Sequence, residues 1–324
     1  MNSKGQFDVL IIGAGPIGLA CGIEAGKNNL KYIIIEKGSI VNSIFNYPAN
    51  MTFFSTSERI EIGDVPFVSH GVKPTRKEAL EYYRRVKGAY DLNVVTYERV
   101  LEIEKKNDIF RVLTDKNKYT ARNIIIATGY YDNPNFLNVK GESLKKVKHY
   151  FDEPHPYAYH KTIVAGAGNS AVDVALELFR VGAEVTMVIR EDKIKPSIKY
   201  WVKPDIENRI KENSIKAFFE SEIEEVKEKS VVIKTPGGLL EIENDFVFAM
   251  TGYHSDIEFL IKTGIDLDDD KNAVFNTKTF ETNIKGIYLA GVVCGGKNTD
   301  IYFIENSIVH SKIIIDHIAK HHHK

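Results

Sequence analysis

The chain has 324 residues, of which 43% are hydrophobic, so it is long enough to bury the cores of roughly two domains. Its 43 lysines and arginines balance 44 acidic residues, which excludes a strong net charge that would recruit nucleic acid or an anionic membrane. The two cysteines exclude a disulfide scaffold, and no apolar run reaches the ~18 residues that span a bilayer. We therefore predict a cytoplasmic protein with neither nucleic acid nor membrane as a partner and no metal site.

The chain opens with a strand, a glycine turn, a helix and a second strand. The strands are predicted at residues 7–12 and 31–35, with the turn at 13–18 and a helix to about residue 27. Short apolar runs without alternation are typical of parallel strands covered on both faces, and the helix supplies the crossover between them. This segment is therefore predicted to be a βαβ unit.

The turn of this unit has the spacing of a dinucleotide-binding motif, which we call the first glycine motif (residues 13–18). Gly13 permits a tight turn, Gly15 lets backbone N–H groups approach a pyrophosphate, and Gly18 lets the helix pack on the strand. Pro16 and Ile17 lie between them, and Glu36 follows the second strand, where a carboxylate accepts hydrogen bonds from ribose hydroxyls. The unphosphorylated ribose that Glu36 suits, and the long segment that follows, predict FAD at this site.

Residues 39–90 form an insertion rich in turn residues, with a helix predicted around residues 76–87. A further strand at 123–127 ends in Thr128-Gly129. We expect the loops of the insertion to close over a ligand.

The same pattern then recurs. Strands are predicted at 161–165 and 184–189, and the second glycine motif (residues 166–171) lies between the first of them and a helix to about residue 181. Arg190 stands where an acidic residue would select an unphosphorylated ribose, and a guanidinium pairs bidentately with a 2′-phosphate. We predict an NADPH site made by Gly166, Gly168, Asn169, Ser170, Arg190 and Lys193, with Lys195 close by.

The last part of the second repeat and the C-terminal segment complete the pattern. A strand at 246–250 precedes Thr251-Gly252, and a strand at 286–290 precedes Gly291-Val292 and a terminal helix, whose positive end would face the flavin pyrimidine. The fold class predicted is α/β with two Rossmann-like, three-layer dinucleotide-binding domains, the NADPH domain being inserted in the FAD domain. The expected boundaries are 1–153 and 254–324 for FAD and 154–253 for NADPH.

The chain resembles the small two-domain flavoproteins related to thioredoxin reductase and, within them, the bacillithiol disulfide reductase family. The resemblance covers nearly the whole chain. Besides the glycine motifs, it rests on segments at 36–37, 41–44, 46–48, 52–55, 61–64, 127–131, 168–173, 196–199, 286–292 and 303–306. It implies an FAD enzyme that takes hydride from NADPH and reduces the disulfide of a low-molecular-weight thiol. It also implies flavin contacts by Lys37, Asn42, Thr52, Phe53, Thr128, Gly129, Gly291 and Val292.

Two departures from the resembled proteins concern the route by which electrons leave. The Cys-x-x-Cys pair of thioredoxin reductases is replaced by His155-Pro156-Tyr157-Ala158-Tyr159-His160, and Ile17 occupies the position of the family's proposed reactive cysteine. Cys21 is predicted to be a structural residue in the first helix. Cys294, in the turn expected near the flavin, remains a candidate catalytic residue, although a small apolar filler is its expected role.

The predicted function is hydride transfer from NADPH to flavin N5 and onward to a small disulfide, another small acceptor or a small redox protein. Three alternatives stay open at this point: a flavin monooxygenase, a ferredoxin-type NADP reductase, and a redox-sensing flavoprotein without turnover. Gly141 followed by His149 suggests the monooxygenase, but the spacing is eight residues where such enzymes have four. We expect a homo-oligomer, either a dimer or a tetramer.

Overall fold

In a computed structural model, residues 3–298 and 301–322 are described, and they form fifteen strands and seven α-helices. The strands are β1 (Ser3–Ile12), β2 (Tyr32–Ile35), β3 (Val94–Val95), β4 (Val100–Lys106), β5 (Ile109–Thr114), β6 (Lys118–Ile126), β7 (Val147–Lys148), β8 (Lys161–Ala165), β9 (Glu184–Val188), β10 (Lys216–Phe218), β11 (Glu222–Val226), β12 (Ser230–Thr235), β13 (Gly238–Glu243), β14 (Phe246–Ala249) and β15 (Ile287–Leu289). The helices are α1 (Pro16–Lys27), α2 (Asn42–Phe45), α3 (Arg76–Ala89), α4 (Asn169–Arg180), α5 (Lys203–Lys211), α6 (Ile257–Thr263) and α7 (Ile304–His322).

The chain divides into two compact units. The first comprises the described parts of Met1–Tyr47, Met51–Asn133 and Tyr253–Lys324, and the second comprises Pro48–Asn50 and Pro134–Gly252. The second unit is thus inserted in the first, as the sequence predicted. It begins at Pro134, about twenty residues before the expected boundary, because Asn135 hydrogen-bonds to Thr251 and Gly252 and because β7 pairs with β14 of the same unit.

The first unit is built on one mixed sheet in the order β3-β2-β1-β6-β5-β4. β1 pairs in parallel with β2 and β6, and β15 pairs with the last three residues of β6. β5 pairs antiparallel with the first residues of β6, and β4 with β5. The apolar runs predicted as β1, β2, β6 and β15 form the parallel part, whose carboxyl ends carry the first glycine motif, Glu36, Thr128 and Gly291.

The insertion between β2 and β3 contains α2 and α3. α3 begins at a capping box in which Thr75 accepts from the backbone N–H of Glu78, while the Glu78 carboxylate accepts from the backbone N–H of Thr75. Tyr82 and Tyr83 on this helix are buried, and their hydroxyls donate to backbone carbonyls of residues 60–65. These bonds order a segment that has almost no strand or helix of its own.

The second unit contains a five-stranded parallel sheet in the order β10-β9-β8-β14-β7 and a separate antiparallel sheet, β11-β12-β13. One face of the parallel sheet packs on α4, whose Val172, Ala175 and Leu176 are buried in its core. The other face packs on the antiparallel sheet through Val231 and Ile233. The predicted α/β class with two dinucleotide-binding folds is confirmed.

No helix among the described residues is both long and apolar enough to cross a membrane.

Candidate functional site

Steric contacts explain the glycines of the first motif. Gly13 has φ +105°, and a Cβ there would lie 2.5 Å from the carbonyl oxygen of Ala127. A Cβ on Gly18 would lie 1.9 Å from the carbonyl oxygen of Gly13, so α1 could not pack this closely on the turn. Gly15 has no atom within 4 Å of where its Cβ would be, so the backbone before α1 is open to a ligand. This is the cradle that a pyrophosphate requires at a helix N-terminus.

Glu36 lies buried at the end of β2 and closes the turn. Its carboxylate accepts hydrogen bonds from the backbone N–H of Ala14 and of Gly38, both at 2.8 Å. Burial raises the pKa of Glu36, and the two N–H donors oppose that rise. Because each carboxylate oxygen has two lone pairs, these bonds orient the group and leave acceptor capacity for ribose hydroxyls.

The structure gives other tasks to several residues implied in flavin binding. The Lys37 ammonium pairs with Asp132 at 2.6 Å, with both side chains less than one third exposed. Asn42 accepts a hydrogen bond from the backbone N–H of Ser39, at 3.2 Å, so its amide orders the turn after β2. Thr52 bridges Thr75 through the backbone, and Phe53 is buried.

The two turns that follow β6 and β15 lie beside the first glycine motif. Gly129 and Gly291 both have positive φ, +73° and +83°. A Cβ on Gly129 would approach Val292 at 3.9 Å, and one on Gly291 would approach Cγ1 of Ile17 at 3.1 Å. The structure therefore brings together Ile17, Gly129 and the Gly291-Val292 pair, which lie in three distant parts of the sequence.

His310 on α7 is a residue of this site that sequence reasoning missed. Its Nδ1 accepts a hydrogen bond from the backbone N–H of Gly291 at 3.1 Å, and its ring stacks on Phe280 with centroids 4.0 Å apart. Burial lowers the pKa of His310 to about 4, so the ring is neutral at pH 7. A lone histidine on a terminal helix carries no motif that would have revealed this bond.

Four tyrosines of the first unit form a second group that the sequence did not assign as a site. Tyr131 packs edge-on against Tyr47, with ring centroids 4.8 Å apart, and lies 4.7 Å from Tyr253, while Tyr130 stacks on Tyr253 at 6.4 Å. Burial raises the pKa of Tyr47, Tyr130 and Tyr253, so all three are neutral at physiological pH. Tyr130 and Tyr131 directly follow the Thr128-Gly129 turn in sequence, so this part of the group lies next to that turn.

Both cysteines are buried free thiols. Burial raises the pKa of Cys21 and of Cys294 well above the usual range of a thiol. Cys294 lies in the short 3₁₀ turn Gly291–Gly295, and the neighbouring Cys21 raises its pKa further. Since the thiolate is the reactive form, both features oppose a redox role for Cys294.

The second glycine motif repeats the contacts of the first. Gly166 has φ +129°, and a Cβ there would lie 2.4 Å from the carbonyl oxygen of Met250, which corresponds to Ala127 in the first unit. Gly168 again has open space at its Cβ position, directly before α4. Ala171, in place of the third glycine, is fully buried and its methyl group fits. The motif is therefore a second open cradle at a helix N-terminus.

Basic side chains follow β9 beside this cradle. Arg190 and Lys193 are exposed, and neither makes a hydrogen bond or an ion pair with the part of the chain that the structure describes. Lys195 pairs with Glu191 at 3.1 Å. The Asn169 side-chain amide hydrogen-bonds to the backbone of residues 197 and 199, so it has a structural task besides its place in the glycine motif. Ser170 is exposed on the first turn of α4.

Residues 10–291 match the family model described as pyridine nucleotide-disulphide oxidoreductase. The chain belongs to this family. It is 44% identical over 318 residues to the bacilliredoxin reductase Bdr of Bacillus subtilis (strain 168), covering 97% of this chain and 98% of that protein.

Two solved structures share this fold over almost the whole chain. The bacillithiol disulfide reductase Bdr from Staphylococcus aureus has a TM-score of 0.95 at 41% identity, covering 98% of this chain and 99% of that one. The protein of the same name from Bacillus cereus has a TM-score of 0.96 at 44% identity, covering 98% and 100%. The resemblance noted in the sequence is confirmed.

As a pyridine nucleotide-disulphide oxidoreductase, the protein is an enzyme that uses FAD and NADPH, and the prediction of these cofactors is confirmed. The residues present fit both groups. Each unit has one open glycine cradle, the first beside an anchored carboxylate and the second beside two exposed cations. The similarity to disulfide reductases implies a small thiol/disulfide substrate, of which the disulfide is the electron acceptor.

Proposed function

We propose that this protein is an NADPH-dependent reductase of a low-molecular-weight disulfide of the bacillithiol type. The observation that carries the proposal is the repeated cradle: Gly13 against Ala127 with Glu36 beside it, and Gly166 against Met250 with Arg190 beside it. The carboxylate suits a ribose with free hydroxyls, whereas the guanidinium suits a 2′-phosphate. Two different dinucleotides are therefore assigned to two separate units.

In the first unit we assign FAD to the open backbone at Gly15, with Glu36 on its ribose. The turns at Thr128-Gly129 and Gly291-Val292 and the side chain of Ile17 border the flavin, and Thr52, Phe53, Asn42 and Lys37 order the surrounding segments. When bound, FAD accepts a hydride from NADPH at N5 and delivers two electrons to an acceptor. The protein's part is to bind and orient the cofactor and to exclude water around it.

In the second unit we assign NADPH to Gly166, Gly168 and Ser170, with Arg190 and Lys193 on the 2′-phosphate. The exposure of both cations supports this role, because neither has to leave an ion pair before it binds the ligand. A cation already in an ion pair would have to break that pair first, and this cost would offset part of its attraction to the 2′-phosphate.

The overall reaction consumes NADPH, one proton and one disulfide, and yields NADP⁺ and two thiols. We propose that the acceptor takes electrons from the flavin without a thiol of this chain. Ile17 stands at the position of the resembled family's proposed reactive cysteine, and burial opposes a thiolate at both Cys21 and Cys294. The acceptor would lie against the tyrosines that follow Gly129, since thioether and disulfide sulfurs pack favourably on aromatic rings.

A protein disulfide is the second candidate acceptor, and the name of the B. subtilis relative, bacilliredoxin reductase, favours it.

The structure gives Gly141, the glycine that suggested a monooxygenase, a packing role. A Cβ on Gly141 would lie 1.8 Å from the carbonyl oxygen of Val226, so this glycine is required for packing.

We further propose a cytoplasmic location and a homo-oligomeric state.

The proposal is tested by anaerobic reduction with NADPH, followed by separate additions of bacillithiol disulfide, an oxidised bacilliredoxin, a ferredoxin and a quinone. We expect rapid reoxidation by the small disulfide with release of two thiols per flavin. Fast reoxidation by the ferredoxin or quinone alone would contradict the proposal. A flavin that NADPH does not bleach would favour a redox-sensing protein without turnover.

A further inference from the structure

The segment that follows β9, residues 191–200, is held against α4 by buried apolar side chains and by hydrogen bonds. Its Ile194 and Ile198 are buried in the same core as α4 residues Val172 and Leu176. The segment contains no helix or strand among its described residues, yet it carries Lys193, which we assign to the 2′-phosphate. Its conformation therefore has to be set by contacts from elsewhere in the second unit.

Asn169, the first residue of α4, holds the backbone of this segment at two points. Its Oδ1 accepts from the backbone N–H of Lys199 at 2.8 Å, and its Nδ2 donates to the carbonyl oxygen of Ser197 at 3.3 Å. One amide thus ties the end of the segment to the beginning of the helix that the second glycine motif opens.

Asp173 holds the same segment one helical turn further along α4. Its Oδ2 accepts from the Lys199 ammonium at 2.6 Å, and the Lys199 side chain is only 11% exposed. The ammonium also lies 5.9 Å from the ring centroid of Trp201. The Asp173 side chain is 33% exposed, so Lys199 is the enclosed partner: loss of the Asp173 carboxylate would leave the Lys199 ammonium largely buried without its counter-ion, which is costly.

We propose that Asp173 and Lys199, together with Asn169, are positioning residues that set the preference for NADPH over NADH. They act by fixing residues 191–200, so that Lys193 is ordered beside Arg190 before the nucleotide binds. A loop that has to be ordered on binding loses affinity through the entropy of its side chains, whereas a preordered loop does not. The inference rests on the proposed role of Arg190 and Lys193 at the 2′-phosphate.

The test compares wild type with Asp173→Asn, Asp173→Glu, Lys199→Met and Arg190→Ala in the flavin-loaded protein. Calorimetry measures the binding of adenosine 2′,5′-bisphosphate and of adenosine 5′-monophosphate, which differ in the 2′-phosphate alone. We expect Asp173→Asn and Lys199→Met to weaken the bisphosphate by about tenfold and the monophosphate by less than about twofold. The conservative Asp173→Glu keeps a carboxylate for Lys199 and should retain most of the difference.

Steady-state kinetics supplies the second readout. For Asp173→Asn we expect KM for NADPH to rise about tenfold, with kcat and the KM for NADH changed by less than about twofold. If Lys199→Met fails to fold, the comparison of Asp173→Asn with Asp173→Glu still tests the inference. Equal losses for both adenosine nucleotides would indicate a general structural role and overturn the inference.

Failure of the proposed NADPH site is distinguishable from failure of this inference. If wild type does not prefer the bisphosphate, the role of Arg190 is wrong and the inference falls with it. A different pattern would show that only the inference is wrong: wild type prefers the bisphosphate, Arg190→Ala loses that preference, and Asp173→Asn keeps it.

Discussion

Ile17 and Gly291 pack directly against each other, although 274 positions of sequence separate them. A Cβ on Gly291 would lie 3.1 Å from Cγ1 and 3.3 Å from Cβ of Ile17. The contact joins the first glycine motif to the turn after β15. It also means that the position at which the resembled family has its proposed reactive cysteine is occupied by a buried aliphatic side chain.

Gly291→Ala should destabilise the first unit by about 1–3 kcal/mol, because alanine is strained at positive φ and its methyl group meets Ile17. Thermal unfolding and the fraction of FAD retained after gel filtration measure the effect. Gly88→Ala is the matched control: Gly88 lies in α3 with no atom within 4 Å of its Cβ position, so alanine there should be neutral or stabilising. Equal stability of the two variants would contradict the contact.

Glu36→Gln should weaken FAD binding by about tenfold or more. A glutamine amide keeps one acceptor oxygen but directs an NH₂ group at one of the two backbone N–H donors of Ala14 and Gly38, which leaves that donor unpaired. Equilibrium dialysis of FAD from the apoprotein checks this result. Exposed Glu102 on β4 provides the control, since Glu102→Gln removes a charge without touching the motif. Unchanged FAD affinity in Glu36→Gln would remove Glu36 from the site.

The buried thiols should be dispensable for turnover. We expect Cys294→Ala, Cys21→Ala and the double variant to reduce the disulfide with kcat within about threefold of wild type, because neither thiol is ionised at neutral pH. The loss of a small buried side chain should appear as a lower unfolding temperature instead. Loss of disulfide turnover in Cys294→Ala, with NADPH reduction of the flavin intact, would make Cys294 a redox residue.

His310 predicts a specific pH dependence. Its folded pKa of about 4 lies below the ordinary value of 6.5, so the unfolded chain binds the proton first as the pH falls. Stability from this group is complete above pH 6.5 and is lost between pH 6.5 and 4, by up to about 3 kcal/mol. His310→Asn, which keeps an acceptor for Gly291, should flatten the decline in unfolding temperature over this range. The same flattening in His70→Asn, at an exposed histidine, would refute the assignment.

The sequence was sufficient for much of the fold because its decisive signals are local. The apolar runs and glycine spacings predicted β1, β8 and both cradles, and the C-terminal segment, expected beside the flavin of the first unit, predicted that the second unit is inserted in the first. The antiparallel strands β4, β5 and β11–β13 were not predicted, because no glycine motif marks where these strands begin or end. The difference at the domain boundary has a similar origin: β7 has only two residues, and its pairing with β14 is not visible locally.

Long-range contacts account for what the sequence did not reveal at the sites. His310 reaches Gly291 from 19 positions away, and Lys199 reaches Asp173 from 26. Asn42 and Asn169 were assigned to cofactors because of their place in motifs, yet both amides hold neighbouring backbone. Residue type and motif position indicate where a ligand binds, whereas the task of each side chain depends on packing that one sequence does not display.

We propose that NADPH drives the reduction of a small disulfide by the bound flavin without a thiol of this chain. The most direct test is a single turnover of the Cys21→Ala/Cys294→Ala double variant. The flavin is bleached anaerobically with one equivalent of NADPH, the NADP⁺ that forms is removed, and bacillithiol disulfide is added. We predict return of the yellow colour with two thiols formed per flavin. The contradicting result would be a double variant whose flavin is reduced by NADPH but stays bleached after the disulfide is added, under conditions in which the wild-type flavin is reoxidised.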